Sequence, residues 1–313
     1  MKKDGMLAWV IYLLVAMFLM YEMALQVAPS VMTAQVMADL NLNAKSLSAA
    51  VGVYFFSYAM MQIPCGMIFD RFNARSIMSV VVALCALSAW LMGHAESSFT
   101  LASARFLMGG ASAFAFVGVL TVAYRWFSDK WYAFLVGITQ LLASVGAVFG
   151  TAPLAEYLSS VTWHNAFNQL SIVGGVLALS IFLIVRQSPA STLDYVKGTK
   201  KISLRESFKE VGGNTQTWWL FFYAFLIWGP VTVFSGLWGT DFIEMLYGIS
   251  TVEASQFRWY FWLPLAAASP VWGYFTNYLR LRNPVMRISS LMGLFATTAM
   301  VVYPDIIMQM MRL

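Results

Sequence analysis

Charge is what this sequence has little of. Its 313 residues include only 19 lysines and arginines and 14 aspartates and glutamates, 11% of the chain, where a soluble domain carries about 25%. So little charge cannot solvate a globule of this size, which excludes an ordinary soluble enzyme and a disordered chain. Histidine and cysteine are almost missing, at two residues each. Cys65 and Cys85 lie inside apolar runs, so no disulfide framework is expected. No His/Cys/Asp/Glu grouping has metal-ligand spacing, and there is no nucleotide-binding glycine motif or Ser/His/Asp grouping. No metal, no cofactor and no enzymatic activity are therefore expected.

Apolar residues fill the place of the missing charge. They make up 60% of the chain, against roughly 45–50% in soluble domains. They gather in nine runs, at about 6–28, 47–69, 76–93, 99–124, 132–156, 166–185, 217–238, 257–276 and 285–303. Most approach or exceed the ~18–20 apolar residues that cross a bilayer as a helix. The expectation is an all-α polytopic membrane protein with about nine transmembrane helices. Lys2 and Lys3 precede the first run, but that run is longer than a signal-peptide core, so it reads as a span.

Placement of the basic residues orients the spans. With the N-terminus inside, the cytoplasmic segments hold Lys2, Lys3, Arg71, Arg75, Arg125, Lys130, Arg186, Lys197, Lys200, Lys201, Arg205, Lys209, Arg280, Arg282 and Arg287, which is 15 of the 19. Such a bias marks the cytoplasmic side. It also accounts for the net charge of +5 without a nucleic-acid partner. The expected location is a bacterial inner membrane, with a cytoplasmic N-terminus.

The chain repeats itself. GMIFDRFNAR (66–75) and GYFTNYLRLR (273–282) share Gly-x-x-x-Asp/Asn-x-Phe/Leu-x-x-Arg at an offset of 273 − 66 = 207. The same offset carries the second and third runs onto the eighth and ninth. Two parallel halves are expected: a six-helix bundle over 1–186, a cytoplasmic linker over 187–216, and a second bundle over 217–313. Within the linker, SLRESFKEV reads as a short amphipathic surface helix. The repeat of the fourth run would begin near 305, and the sequence reaches Leu313. The second half is thus expected to hold helices 7–9 and the start of 10, three quarters of a twelve-helix protein.

These motifs resemble the major facilitator superfamily. GMIFDRFNAR is similar to its cytoplasmic loop signature, with Gly66, Asp70, Arg71 and Arg75 matching and Asn73 in place of a second glycine. Asn73 is the next-best residue for a turn of positive φ. ARFLMGGA (104–111) is similar to the helix-4 pattern of the family. Gly137, Gly146 and Gly150 keep the spacing of its antiporter motif, but Ala147 replaces the proline, which weighs against drug/proton antiport. The stretches 21–32, 54–66 and 105–118 most resemble the subgroup containing the lysosomal dipeptide transporter and its bacterial relatives. The resemblance implies a secondary transporter, a symporter or uniporter of small polar solutes such as dipeptides or organic anions. It implies alternating access by rocking of two halves, with Gly66, Asp70, Arg71 and Arg75 as a conformational latch. The proton is a candidate co-substrate, and a monomer is expected. The rival reading is a truncated, non-transporting sensor or scaffold.

Ionisable residues inside a span are costly and mark function by default. Glu22 in the first span and Arg105 in the fourth lie at equal depth, about 10 Å below the outer edge. In the fold implied by the resemblance both helices line one cavity, so the two are expected to work as a unit on a proton or a charged solute. A static ion pair between helices is the structural alternative. Tyr21, Gln26, Gln62, Gln140 and Trp228 are the remaining candidate cavity residues. Gly229-Pro230 is expected to kink the seventh span, and Trp218, Trp219, Trp259 and Trp262 to anchor at the membrane interface.

Overall fold

Capping residues draw the boundaries that the apolar runs leave open. Asn43 accepts the Ser46 N–H at the start of one long helix, and Ser97 with Thr100 forms a reciprocal capping box at the start of another. The computed structural model describes residues 5–186, 204–257, 259–279 and 282–302. In chain order the helices are α1 (Met6–Val27), α2 (Thr33–Asp39), α3 (Ala44–Arg71), α4 (Ala74–Gly93), α5 (Ser98–Trp126), α6 (Asp129–Phe149), α7 (Ala152–Leu158) and α8 (Trp163–Ile184), followed by α9 (Leu204–Gly213), α10 (Thr215–Val233), α11 (Gly239–Tyr247), α12 (Thr251–Gln256), α13 (Trp259–Leu279) and α14 (Arg282–Val302). No strand occurs among the described residues. Among the described residues, seven helical stretches are long and apolar enough to cross a membrane. Two further helices, α13 and α14, have 21 residues each and fall on the eighth and ninth expected spans.

The 207-residue offset reaches further than the two motifs that revealed it. It carries α1 onto 213–234, beside α10; α2 onto 240–246, inside α11; α3 onto 251–278, beside α12 and α13; and α4 onto 281–300, beside α14. Lys197, Lys200 and Lys201 of the expected linker lie outside the described residues, as does 303–313, where helix 10 was expected. The amphipathic segment is helical, as α9.

Successive spans run in opposite directions. The start of α1 and the α3–α4 and α5–α6 turns therefore share one end, called here the near end; the α1–α3 and α4–α5 connections share the far end. α3 packs on α5, α4 on α8 and α5, and α1 on α5 and α6. Glycine makes the closest approaches. A Cβ on Gly109 would fall 2.1 Å from the Tyr54 carbonyl oxygen, and one on Gly146 2.2 Å from that of Met20. Without side chains there, α5 meets α3 and α6 meets α1 backbone to backbone, which is how helices associate where lipid removes the hydrophobic drive. A Tyr12 hydroxyl bond to the Leu135 carbonyl, 2.8 Å, adds a polar tie between α1 and α6.

Between α1–α8 and α10–α14 the contacts gather toward the far end and along α6 and α13. Thr33 Oγ1 donates to Asp241 Oδ1 at 2.7 Å. Trp262 packs with Val27 and Ala147. It is 2% exposed, so the expected interface anchor is a packing residue instead. Its ring lies between α1, α6 and α13, where sequence position gives no warning of burial. Trp218 and Trp219 are exposed near a helix end, and Trp259 is exposed too. α10 has no buried residue. Pro230 sits inside it and a π-helical turn, Phe234–Trp238, follows; Pro230 lacks the N–H that would bond the preceding turn.

The α3–α4 turn corrects one expectation. Asn73 has φ −72° and ψ 135°, so it is extended and the turn needs no residue of positive φ. Phe72 is extended as well, at φ −118°. Two extended residues reverse the chain here, which any side chain can do.

Candidate functional site

Glu22 lies on α1 one and a half turns before its C-terminus, and Arg105 on α5 two turns after its N-terminus. The two side chains come to one buried cluster, but their charges do not meet as an ion pair. Tyr54 of α3 stands between them. Its hydroxyl donates to Glu22 Oε1, and its ring lies 4.4 Å from the Arg105 guanidinium carbon. All three are buried, at 2%, 0% and 0% exposure for Glu22, Arg105 and Tyr54.

Arg105 finds its hydrogen bonds on the main chain. Nη1 donates to the Leu25 carbonyl at 3.1 Å and Nη2 to the Gln26 carbonyl at 3.5 Å. These are carbonyls of the last turn of α1, which an α-helix leaves without partners and which carry the negative end of its dipole. Two of its nitrogens are thus satisfied without a carboxylate. Nη1 also faces the Met108 sulfur at 3.2 Å. Buried Nε has no hydrogen-bond partner among the described residues.

A polar stripe extends from this centre. Tyr54, Tyr58 and Gln62 recur every four residues on α3 and so share one face. Tyr58 stacks on Tyr54, with ring centroids 6.1 Å apart and planes at 20°. Gln62 lies beside the Tyr58 hydroxyl. Ser112 of α5 lies beside Glu22 and Tyr54, and its Oγ is 3.8 Å from Cys85 Sγ.

Of the other candidates, Gln26 contributes its carbonyl to Arg105. Tyr21 faces away from the centre, because its hydroxyl donates to the Leu170 carbonyl of α8 at 2.9 Å. Neighbouring residues on a helix point about 100° apart, so Tyr21 and Glu22 serve different interfaces. Gln140 is half-buried on α6. Trp228 is 46% exposed on α10 and is not brought to Glu22. Tyr54, Tyr58 and Ser112 join the cluster in addition to the expected residues. The four-residue recurrence of Tyr54, Tyr58 and Gln62 was the available signal.

The near-end turn gathers the expected latch residues. Gly66 faces open space, with no atom within 4 Å of a built Cβ. Asp70 is exposed and lies within electrostatic reach of Arg125, whose Nη2 donates to the Phe69 carbonyl at 2.9 Å. Arg75 Nε donates to the Phe182 carbonyl at 2.7 Å, and its guanidinium covers the Phe182 ring. Arg71 is exposed. No group of three or more His, Cys, Asp and Glu suited to a metal occurs among the described residues.

A buried acid and a buried guanidinium thus sit on two packed helices of a helical bundle. The family model described as Major Facilitator Superfamily matches residues 10–311. The chain belongs to the Major Facilitator Superfamily. It is a multi-pass membrane protein of that all-helical fold. Among curated superfamily relatives, it is 22% identical over 277 residues to the uncharacterized transporter YybO of Bacillus subtilis, covering 84% of this chain and 63% of that protein. It is 21% identical over 259 residues to the probable L-galactonate transporter of Escherichia coli, covering 80% and 57%. With the hexuronate transporter of Escherichia coli it shares 24% over 246 residues, 71% and 54%. The chain thus spans about three fifths of the length of these relatives. Its superfamily fold matches a bacterial homolog of the human lysosomal transporter Spinster in an inward-facing, occupied conformation, with TM-score 0.68 and 19% identity over 98% of this chain and 70% of that one. The unoccupied form gives TM-score 0.61 and 18% identity, over 88% and 61%.

Proposed function

We propose that this chain belongs to a secondary transporter of small organic anions that works by alternating access, with Glu22, Tyr54 and Arg105 as its charged centre. The observation that carries the reading is the arrangement of these three residues. A guanidinium and a carboxylate are both withdrawn from water inside a membrane bundle, joined through one tyrosine rather than to each other. Burial of either charge is costly unless it is used or fully compensated. Arg105 keeps one N–H without a hydrogen bond, and a solute carboxylate matches a guanidinium fork well.

Relatives named for L-galactonate and for hexuronate support an anionic solute over a dipeptide. A zwitterion would want Glu22 for its ammonium group, and Tyr54 already takes one oxygen of that carboxylate. Glu22 is instead the proton-carrying group. Charge placement supports a cytoplasmic near end, a bacterial inner membrane and residues 187–216 as the cytoplasmic connection between two halves. In that orientation the far-end contacts close the outer side, and Gly66, Asp70, Arg71 and Arg75 form the inner latch. The protein acts as a monomer.

The test is uptake by proteoliposomes holding the purified chain, offered labelled hexuronates, aldonates and dipeptides under an inward proton gradient. Accumulation of a sugar acid, abolished by a protonophore, is the expected result. Accumulation of dipeptides alone overturns the anion reading, and no uptake of any solute favours a sensor or scaffold.

A further inference from the structure

α3 and α4 are joined by a two-residue turn, yet they hardly touch along their length, because both lean on α5. The gap they leave is a cavity of about 530 Å³. Met60 and Ile68 of α3 form one wall, Val80 and Leu84 of α4 the other, and Phe106 and Gly110 of α5 the floor. Among the described residues its polar lining side chains are Ser57 and Ser76 alone, and Ser57 spends its hydroxyl on the Tyr54 carbonyl. A polar solute has almost nothing to bond there. The rim is open: Met60, Val80 and Phe72 are each more than half exposed. None of α1 lines the cavity, so it opens sideways, away from the Glu22 centre.

Asp70, Arg71 and Arg75 flank the near end of this groove in the chain, a set with net positive charge. Phe72 and Ser76 line it there, and Arg71 and Arg75 precede them directly in the chain. Arg71 is exposed and has no hydrogen-bond or ion-pair partner among the described residues. Arg75 uses Nε on the Phe182 carbonyl, and a guanidinium keeps four more N–H donors beyond that one. From Ser76 to Leu84 the groove runs about 12 Å along α4, just under one leaflet's share of a hydrocarbon core of ~30 Å.

We propose that this groove binds one acyl chain of an anionic phospholipid, whose phosphate sits on Arg71 and Arg75. Hydrocarbon fills an apolar slot that water cannot satisfy, and two cations at its mouth select for negative headgroup charge. The orientation proposed above puts that mouth at the cytoplasmic leaflet, where anionic lipids attract basic residues. The site does not depend on the transported solute.

Native mass spectrometry of the purified full chain with added phosphatidylglycerol or phosphatidylcholine tests the proposal. The unaltered chain should hold one phosphatidylglycerol in preference to phosphatidylcholine. Arg71→Gln should weaken phosphatidylglycerol about fivefold, the size of one juxtamembrane charge, and leave phosphatidylcholine unchanged. Gly110→Leu should weaken both lipids, since only the Met61 Cγ lies within 4 Å of a built Cβ and the larger side chain would grow into the slot. Val80→Trp, on the exposed rim, offers a second plug that leaves the core intact. A phosphatidylglycerol with a photoreactive tail should label peptides of α3, α4 or α5. Equal retention of the two lipids, no effect of Arg71→Gln or of either plug, displacement by inorganic phosphate, or labelling confined to other helices would each overturn the proposal.

Discussion

The Arg105 guanidinium lies over the Tyr54 ring, 4.4 Å from its centroid, while the hydroxyl of the same tyrosine donates to Glu22. One side chain thus senses both buried charges. Tyr54 belongs to α3, Glu22 to α1 and Arg105 to α5. Any relative movement of these helices changes the shielding of a carboxylate and a guanidinium together.

Removing the two functions of Tyr54 separately should give different results. Tyr54→Phe keeps the ring under Arg105 and strips Glu22 of its phenol donor. It should cost about 1–3 kcal/mol for the lost hydrogen bond to a charged acceptor and lower uptake. Tyr54→Leu also removes the cation–π contact, for about 1–2 kcal/mol more. Thermal unfolding in detergent checks the order: native chain most stable, then Phe, then Leu. Equal stability of the two variants would remove the ring contact from the account.

Adjacent glycines on α5 should differ sharply. A Cβ on Gly109 collides with the Tyr54 carbonyl and Ser57, whereas one on Gly110 makes ordinary contact with Met61. Gly109→Ala should destabilise by about 1–3 kcal/mol, the usual penalty of overpacking, and should shift Tyr54 enough to slow uptake. Gly110→Ala should leave both unchanged. Unfolding temperature and transport rate, measured on the two variants side by side, provide the check.

The Thr33–Asp241 bond ties the far ends of α2 and α11. Thr33→Val keeps the shape and removes the donor. In the orientation proposed, it should make the outer side open more often. A single cysteine at Val36, buried at 2% exposure, should then react several-fold faster with an impermeant maleimide. An unchanged rate would mean that the closed far side is held elsewhere.

Topology has its own test. A cysteine at position 200, among Lys197, Lys200 and Lys201, should stay unlabelled when intact cells meet an impermeant reagent and become labelled after permeabilisation. Labelling of intact cells would reverse the assigned orientation.

Much of the fold was legible because bilayer crossing writes itself into one dimension. The apolar runs gave the spans, and one short charged motif gave the 207-residue offset, which α1, α2, α3 and α4 all obey. Glu22 and Arg105 were legible for a related reason: charge in a span is costly and therefore conspicuous. Their connection was not. Tyr54 reads as one more aromatic in an apolar run, and Arg105 takes its hydrogen bonds from the Leu25 and Gln26 carbonyls, which have no side-chain signature. Trp262 was misjudged because sequence gives position along a helix but not what packs against it. Asn73 was misjudged because two extended residues turn the chain as tightly as a left-handed one.

The central claim is that Glu22 carries the proton while Arg105 holds the anion. The most direct measurement compares, at matched amounts in proteoliposomes, solute counterflow and accumulation driven by a pH gradient. Glu22→Gln should retain counterflow and lose accumulation, because exchange needs no net proton movement. Arg105→Lys should lose both, since a point charge replaces the fork while net charge stays the same. Wild-type accumulation by Glu22→Gln, with wild-type counterflow by Arg105→Lys, would contradict the account and leave the two residues a structural element of the bundle.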